Sequence, residues 1–375
     1  MNKLIGIFGG AFDPPHIAHI HMAHALIMER GYDKLILLPS HNPPHKTLSA
    51  SDTDRLNMLK LIADDKIEVS DIELKRNGIG YTIDYLPEVI EKYGENIEYI
   101  IGGDSFLNFD KWYKPLGILK LTKLLVVPRD GEKDALYCKL EEYKDVSKKG
   151  IAIAEYLPES ISSSLVRNAL RLQLDVSDKL DSKILQYIKA SNLYNEYGKL
   201  LEKLKYNISE ERFAHTIGVV EYALKYCDKL KLDYDKVFKA CLLHDCAKNC
   251  SNLQDIVIEY NLPHDCIGTP IAHAFCGSIV ANVNYGIEDK EILDAICYHA
   301  TARPKMKPLD MLVYCADMLE KGRDFNGVDK LREIFDKNFN EGFKACLEST
   351  VKFLENENKE IYPLTLDAYN YYYNK

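Results

Sequence analysis

At 375 residues the chain is long for one domain and sufficient for two, each able to bury its own core. With 46% hydrophobic and 28% charged residues its composition is that of an ordinary soluble globular protein, and no apolar run reaches the length of a membrane span. The net charge of -9 argues against nucleic acid and membrane surfaces as partners, so an anionic substrate must be met by local donors and metals.

The opening residues, MNKLIGIFGG, run into a glycine turn with no cleavage-site pattern, which makes the cytoplasm the expected location. Six apolar runs then read as strands: KLIGIFG, KLILLP, KIEVS, IEYIIGG, KLLVVP and GIAIAEYLP. Helical stretches are predicted between them around residues 17 to 30, 52 to 63, 82 to 93 and 162 to 172. That alternation implies βαβ crossovers and a parallel, doubly wound, Rossmann-like α/β sheet. Ligands on such sheets bind at the carboxyl ends of the strands, where Gly9 and Gly10 would lie. From Ser209 onward strand alternation gives way to helical periods such as FAHTIGVVEYALKYC and VFKACLLHDCAK, so the second half reads as all-α. Asn192 to Asn207 is the expected junction, and the domains are drawn at 1–197 and 198–375. The tyrosine-rich tail AYNYYYNK is expected either to pack on its domain or to fray.

The eleven histidines are concentrated before residue 46 and between 215 and 299. In GIFGGAFDPPHIAH (Gly6 to His19), the paired glycines let backbone N–H groups approach phosphate oxygens, and the following helix adds its positive end. His16 and His19, one helical turn apart, can stabilise charge developing on the same phosphate. The loop is neither a GxxxxGK[ST] nor a GxGxxG motif. Farther on, Ser162, Ser163 and Ser164 precede a helical run and Arg167 offers a fork, a second device for phosphate. Taken singly, a βα corner and a helix cap explain these elements; their joint occurrence in this order points to a triphosphate held from both ends.

These motifs, GGAFDPPHIAH and ISSSLVR, resemble those of the nucleotidyltransferase superfamily. Residues 1 to about 195 resemble bacterial nicotinate-nucleotide adenylyltransferases throughout, including NPPHK (Asn42 to Lys46), YTIDYL (Tyr81 to Leu86), GGDSF (Gly102 to Phe106) and KWYK (Lys111 to Lys114). Ala18 replaces the motif glycine and Ser164 the motif threonine, both small for small. The resemblance implies ATP, with Mg2+, and nicotinate mononucleotide as substrates. It assigns His16, His19, Lys46 and Arg167 to catalysis and phosphate contact, and Gly9, Gly10, Phe12, Asp104, Ser162, Ser163 and Ser164 to the nucleotide pocket. Trp112 would stack on the pyridine, while backbone near Thr82 and Tyr113 receives its carboxylate. A core role for Trp112 and a phosphopantetheine-type adenylyltransferase are the alternatives.

In the second half, His215, His244-Asp245, His273, His299 and Asp317 form an ordered nitrogen and oxygen ligand series. Such donors, without paired CxxC cysteines, suit two ions of iron, manganese or a similar metal better than a structural zinc. Cys246 and Cys250 flank Lys248, but small buried side chains are the expected role. FAHTIGV, LLHDCAKN, PIAHAFCG, ICYHATARPKM, YCADMLEKGRDF and IYPLTLDAYNYY resemble the HD-domain symmetrical diadenosine tetraphosphate hydrolases, with Lys321 where that family usually has proline. The resemblance implies dinucleoside polyphosphates as substrates, Asp245 and Lys248 at the reaction centre, and Lys248, Arg303 and Arg323 on substrate phosphates. Another nucleotide phosphohydrolase and a non-catalytic nucleotide sensor are the alternatives. A homo-oligomer is left open.

Overall fold

The computed structural model describes residues 3–44 and 46–373, so His45 of the NPPHK motif and the final Asn374 and Lys375 lie outside the described residues. The chain divides into two compact units, one ending at Glu196 and the other beginning at Tyr197.

The first unit is built on six parallel strands: β1 (Ile5–Gly10), β2 (Lys34–Pro39), β3 (Ile67–Val69), β4 (Ile97–Gly102), β5 (Lys123–Val127) and β6 (Ile151–Ile153). Their order is β3-β2-β1-β4-β5-β6, as the doubly wound expectation requires. Both faces are covered, which is why the strands read as continuous apolar runs. Ile36 and Leu38 of β2 pack with Ile7, Tyr99 and Val126 on one face, whereas Leu35 and Leu37 pack with Leu26, Ile100 and Leu125 on the other. The chain reverses its winding between β1 and β4, the place where a doubly wound sheet opens a crevice.

Two helix starts matter for the site. Ile17–Arg30 begins after His16 and stops at Gly31, whose φ of 68° relieves the strain a side chain would meet there. Ser163–Arg171 is capped by Ser162, whose hydroxyl accepts the Leu165 N–H at 3.2 Å. The predicted helix over 52 to 63 is shorter, Asp52–Lys60, because Asp64 turns the chain by accepting the N–H groups of Lys66 and Ile67.

The second unit is helical, with no strand among its described residues. Much of the expected junction is itself helix, Gly198–Asn207. His215, His273 and Asp317 lie on the helices Glu210–Leu224, Ala272–Tyr285 and Pro308–Leu319, while His244-Asp245 and His299 directly follow the helices Tyr234–Leu243 and Lys290–Tyr298. The tail packs: it forms the helix Pro363–Tyr373, and the Tyr372 hydroxyl accepts the Met306 N–H at 2.8 Å. Among the described residues no helix is long and apolar enough to cross a membrane.

Candidate active sites

In the first unit the glycine turn at the end of β1 has no room for side chains. A Cβ on Gly9 would overlap the Tyr99 hydroxyl, and one on Gly10 would press on the Phe12 ring at 3.1 Å. Phe12 adopts a φ of 50° and is buried, with its ring centroid 5.1 Å from that of His19 in an edge-to-face arrangement. His16 and His19 stack with ring centroids 3.7 Å apart, and the His16 N–H donates to His19 Nδ1 at 3.1 Å. Burial lowers the His16 imidazole to about 4. Burial, then the neighbouring His16 and the charge of Lys46, hold His19 well below the ordinary histidine range. Both rings are therefore neutral at pH 7, each carrying one ring N–H.

Asp13 gathers the surroundings of this turn. It is 1% exposed, and its carboxylate accepts the N–H groups of Ser49 at 2.7 Å and Ala50 at 3.0 Å and the Tyr194 hydroxyl at 2.7 Å. Its carbonyl oxygen takes Arg167 Nη1 at 2.5 Å, while Arg167 Nη2 donates to Ser164 Oγ at 3.1 Å. Ser163 Oγ donates to the Pro14 carbonyl at 2.9 Å. The serine and arginine segment is thus tied to the histidine turn. Asp13 stands inside the GGAFDPPHIAH motif but had no role assigned from sequence, and nothing in the sequence pointed to Arg55, a fully buried guanidinium that bonds Ala11 O at 2.7 Å, Ser40 O at 2.6 Å and Asp52 at 2.5 Å.

The remaining first-unit candidates are less enclosed. Lys46, Asp104, Ser162 and Ser164 are exposed, and Asp104 lies 3.6 Å from Arg129 at the end of β4. Thr82 is buried at the first position of the helix Thr82–Tyr93. Trp112 is half-buried; its ring lies 5.3 Å from Phe109 at the edge of the core, so it has a packing role whatever its other face meets. Tyr113 is 45% exposed, with its ring 4.7 Å from that of Tyr81.

In the second unit all six expected metal ligands converge. His215 Nε2 is 2.9 Å from Asp317 Oδ1, and His273 Nε2 is 3.0 Å from Asp245 Oδ1. His299 Nε2 lies 3.6 Å from the same Asp245 oxygen and 3.3 Å from His273 Nε2. His244 Nε2 lies 3.5 Å from Asp245 and 3.9 Å from Asp317. Two groups, His215 with His244 and Asp317, and His244 with Asp245 and His299, are each compact enough to hold an ion.

The outer contacts prepare these rings to be ligands. His244, His273 and His299 donate Nδ1–H to the carbonyls of Cys241, Pro270 and Ile296, each at 2.7 Å. That tautomer leaves the Nε2 lone pairs facing inward. Buried His244 Nε2 and Asp245 Oδ1 have no hydrogen-bond partner, as expected of atoms built to meet a cation. His215 is backed by Glu320, 3.1 Å from its Nδ1, a residue whose role the sequence did not reveal. Burial acts to raise the Asp245 and Asp317 carboxyls, but the imidazoles around them, with Arg323 beside Asp317, prevail and hold both below the ordinary carboxylate range. The donor set fits a divalent-metal centre.

The cationic candidates are already engaged. Lys248 Nζ is 3.2 Å from His273 Nε2, and Arg323 Nη2 is 2.6 Å from Asp317 Oδ1. Arg303 bonds Asp294 and Asp310, each at 3.0 Å, and lies over the Tyr298 ring at 4.0 Å. Arg212, unforeseen, donates to Asp245 Oδ2 at 2.8 Å. Cys246 is buried and its thiol contacts the Gly277 carbonyl at 3.4 Å, the small core residue expected.

Known proteins divide the chain in the same way. Residues 7–169 match the cytidylyltransferase-like family and residues 212–322 the HD domain. A probable nicotinate-nucleotide adenylyltransferase of Aquifex aeolicus is 41% identical over 41% of this chain and 86% of its own length. A symmetrical bis(5'-nucleosyl)-tetraphosphatase of Halalkalibacterium halodurans is 35% identical over 46% of this chain and 95% of its own. A probable nicotinate-nucleotide adenylyltransferase/Ap4A hydrolase of Mycoplasma genitalium is 27% identical over 95% of this chain and 99% of its own. The chain belongs to the nicotinate-nucleotide adenylyltransferase family in its first unit and to the HD-domain family of symmetrical bis(5'-nucleosyl)-tetraphosphatases in its second.

Proposed function

We propose that the chain is a bifunctional enzyme. Its first unit transfers AMP from ATP to nicotinate mononucleotide, giving the deamido dinucleotide and pyrophosphate, and its second splits diadenosine tetraphosphate into two ADP. The observation that carries this reading is the coexistence of two complete sites: stacked neutral histidines on a glycine turn tied to Arg167, and the inward-facing histidine and aspartate cluster.

In the first reaction the mononucleotide phosphate attacks the α-phosphorus of ATP, a P–O bond forms, and the α–β bridge breaks as pyrophosphate departs. Gly9 and Gly10 admit the phosphates, His16 and His19 donate N–H to the oxygens that gain charge, and Arg167 and Lys46 hold the polyphosphate. The protein's task is positioning and charge stabilisation. Magnesium carried in with ATP supplies charge neutralisation on the leaving pyrophosphate. Trp112 stacks on the pyridine, and the backbone near Thr82 and Tyr113 receives the carboxylate.

In the second unit His215, His244, Asp245, His273, His299 and Asp317 would hold two metal ions, iron first and manganese or another divalent ion as alternatives. Such ions, when bound, supply Lewis acidity and a water acidic enough to attack phosphorus near neutral pH. Lys248 and Arg323 sit beside the ligands, where they can neutralise substrate phosphates; Arg303 spends Nη2 on its two carboxylates and would meet a phosphate through its other nitrogens. The expected setting is the cytoplasm, with no nucleic-acid or membrane partner. Purified protein given each substrate set tests the proposal. Deamido dinucleotide from the first and two ADP from the second are expected; ATP plus AMP, or full hydrolysis by metal-stripped protein, refutes the second assignment.

A further inference from the structure

The loop after β2 is gripped at three successive residues. The Ser40 N–H donates to Gly10 O at 2.9 Å, the His41 N–H to Glu73 Oε1 at 3.2 Å, and Asn42 O accepts the Gly80 N–H at 3.0 Å. One short loop therefore runs from the phosphate turn to the segment that leads into Tyr81 and Thr82. Glu73 lies under that bridge, 1% exposed, and its Oε2 has no hydrogen-bond partner. Gly80 is pressed against it so closely that a Cβ there would overlap Oε1. Tyr85 lies beside the carboxyl group, and its hydroxyl also reaches Thr82 Oγ1 at 3.3 Å and the Tyr99 hydroxyl at 2.5 Å. Tyr99 in turn fills the space that a side chain on Gly9 would need.

A carboxyl group buried among so few donors costs stability, and a buried polar network is a means of fixing one geometry. We propose that Glu73 is a positioning residue for the pyridine nucleotide: by joining the Ser40–Asn42 backbone to Gly80, it sets where Tyr81 and Thr82 present the site for the pyridine carboxylate. This rests on reading the first unit as a nicotinate mononucleotide adenylyltransferase. Glu73 acts through these two loops and touches no reacting atom.

The same residue brings a pH signature. Burial pushes the Glu73 carboxyl up to about 7, against the His41 N–H, the Tyr85 hydroxyl and the charges of Arg55 and His41. Those groups face it from the loop, from the helix Thr82–Tyr93 and from the helix Asp52–Lys60; Tyr99 stands behind Tyr85, and Asp52 is paired with both His41 and Arg55. As pH rises through 7 the carboxylate forms and its bond from His41 becomes charge-assisted, so the bridge tightens.

Steady-state kinetics of the full-length chain at pH 6 and pH 8 test this, with Trp112 fluorescence melts to verify folding. Glu73→Ala is expected to raise KM for nicotinate mononucleotide about tenfold, leaving kcat and KM for ATP within about threefold. Glu73→Gln is expected to match the wild type at pH 6 and to show about fivefold higher KM for the mononucleotide at pH 8, the ratio between charged and neutral bonds. Should the alanine variant not fold, the glutamine variant carries the test alone. Equal losses for both substrates, or a glutamine variant that follows the wild type at both pH values, overturn the positioning role. A wild-type protein that makes no dinucleotide fells the adenylyltransferase reading and this proposal together, which the variants alone cannot do.

Discussion

Asp13→Asn measures how far the first site depends on one buried carboxylate. In the native unit that group accepts three hydrogen bonds, from Ser49 N, Ala50 N and the Tyr194 hydroxyl. An amide of the same shape keeps one acceptor oxygen, turns an NH2 toward a donor, and loses the charge that strengthens the remaining bonds. Bonds to a charged group contribute about 1.5–3 kcal/mol each, so losing one and weakening the others should cost about 2–4 kcal/mol. For a unit of this size that lowers Tm by roughly 5–15 °C. The only tryptophan, Trp112, lies in this unit, so a fluorescence melt reads its unfolding without interference from tryptophans in the other. Dinucleotide synthesis should fall even below the melting range, because Arg167 loses the carboxylate charge that lies 3.8 Å from its Nη1. Tyr194→Phe removes one of the three donors and should cost about 1–2 kcal/mol. The reasoning fails if Asp13→Asn melts within about 1 °C of the wild type, or if Tyr194→Phe costs as much as Asp13→Asn.

Other expected outcomes follow from single contacts. His19→Ala should lower kcat for dinucleotide synthesis on the order of 10²-fold while tetraphosphate hydrolysis is unchanged; near-normal synthesis would exclude charge stabilisation by this ring. Trp112→Ala should weaken pyridine-nucleotide binding by about 5- to 150-fold and ATP binding little, as titration calorimetry with each ligand will read. Asp245→Ala should abolish hydrolysis and reduce bound metal by elemental analysis, with synthesis continuing; retained metal and turnover would remove Asp245 from the ligand set. Glu98 is buried and burial acts to raise its carboxyl, yet bonds from Arg30, Lys123 and Tyr32 hold it at about 2, below its ordinary 4.5. Its stabilising contribution is therefore present above pH 4.5 and lost as pH falls toward 2, so acid melts of Glu98→Gln should show a shallower decline across that window than the wild type.

The strands were legible because parallel strands covered on both faces must be apolar throughout, and β2 and β5 carry little else. The helices Gly103–Leu107, Pro115–Leu121, Lys133–Tyr143 and Ser182–Ala190 were not. Two are too short for a period to develop, and KDALYCKLEEY buries only Leu136 and Tyr143. Site residues that act through their own chemistry, the histidines and aspartates, announced themselves by type and order. Arg55 and Glu73 did not, because their importance arises from burial by distant segments, and Asp13 stood in a motif whose text hid its partners; Tyr194 meets Asp13 across 181 positions of sequence. Arg303 shows the opposite case, a cation expected on phosphate whose present partners, Asp294 and Asp310, were invisible in the motif.

Three histidines of the second unit's cluster lean on main-chain carbonyls three residues behind them, whereas the cluster's fourth leans on a side chain. A carbonyl survives every substitution at its position, so no neighbouring point mutation can release His244, His273 or His299 from the tautomer that faces the centre. His215 alone depends on a replaceable support. Mutational tolerance around the cluster should be correspondingly uneven: Cys241 and Ile296 can vary in anything that preserves packing, while at Glu320 a change of side chain reaches the ligand directly. Among the supports behind the four imidazoles, drift therefore has one open door, and it is the glutamate behind His215.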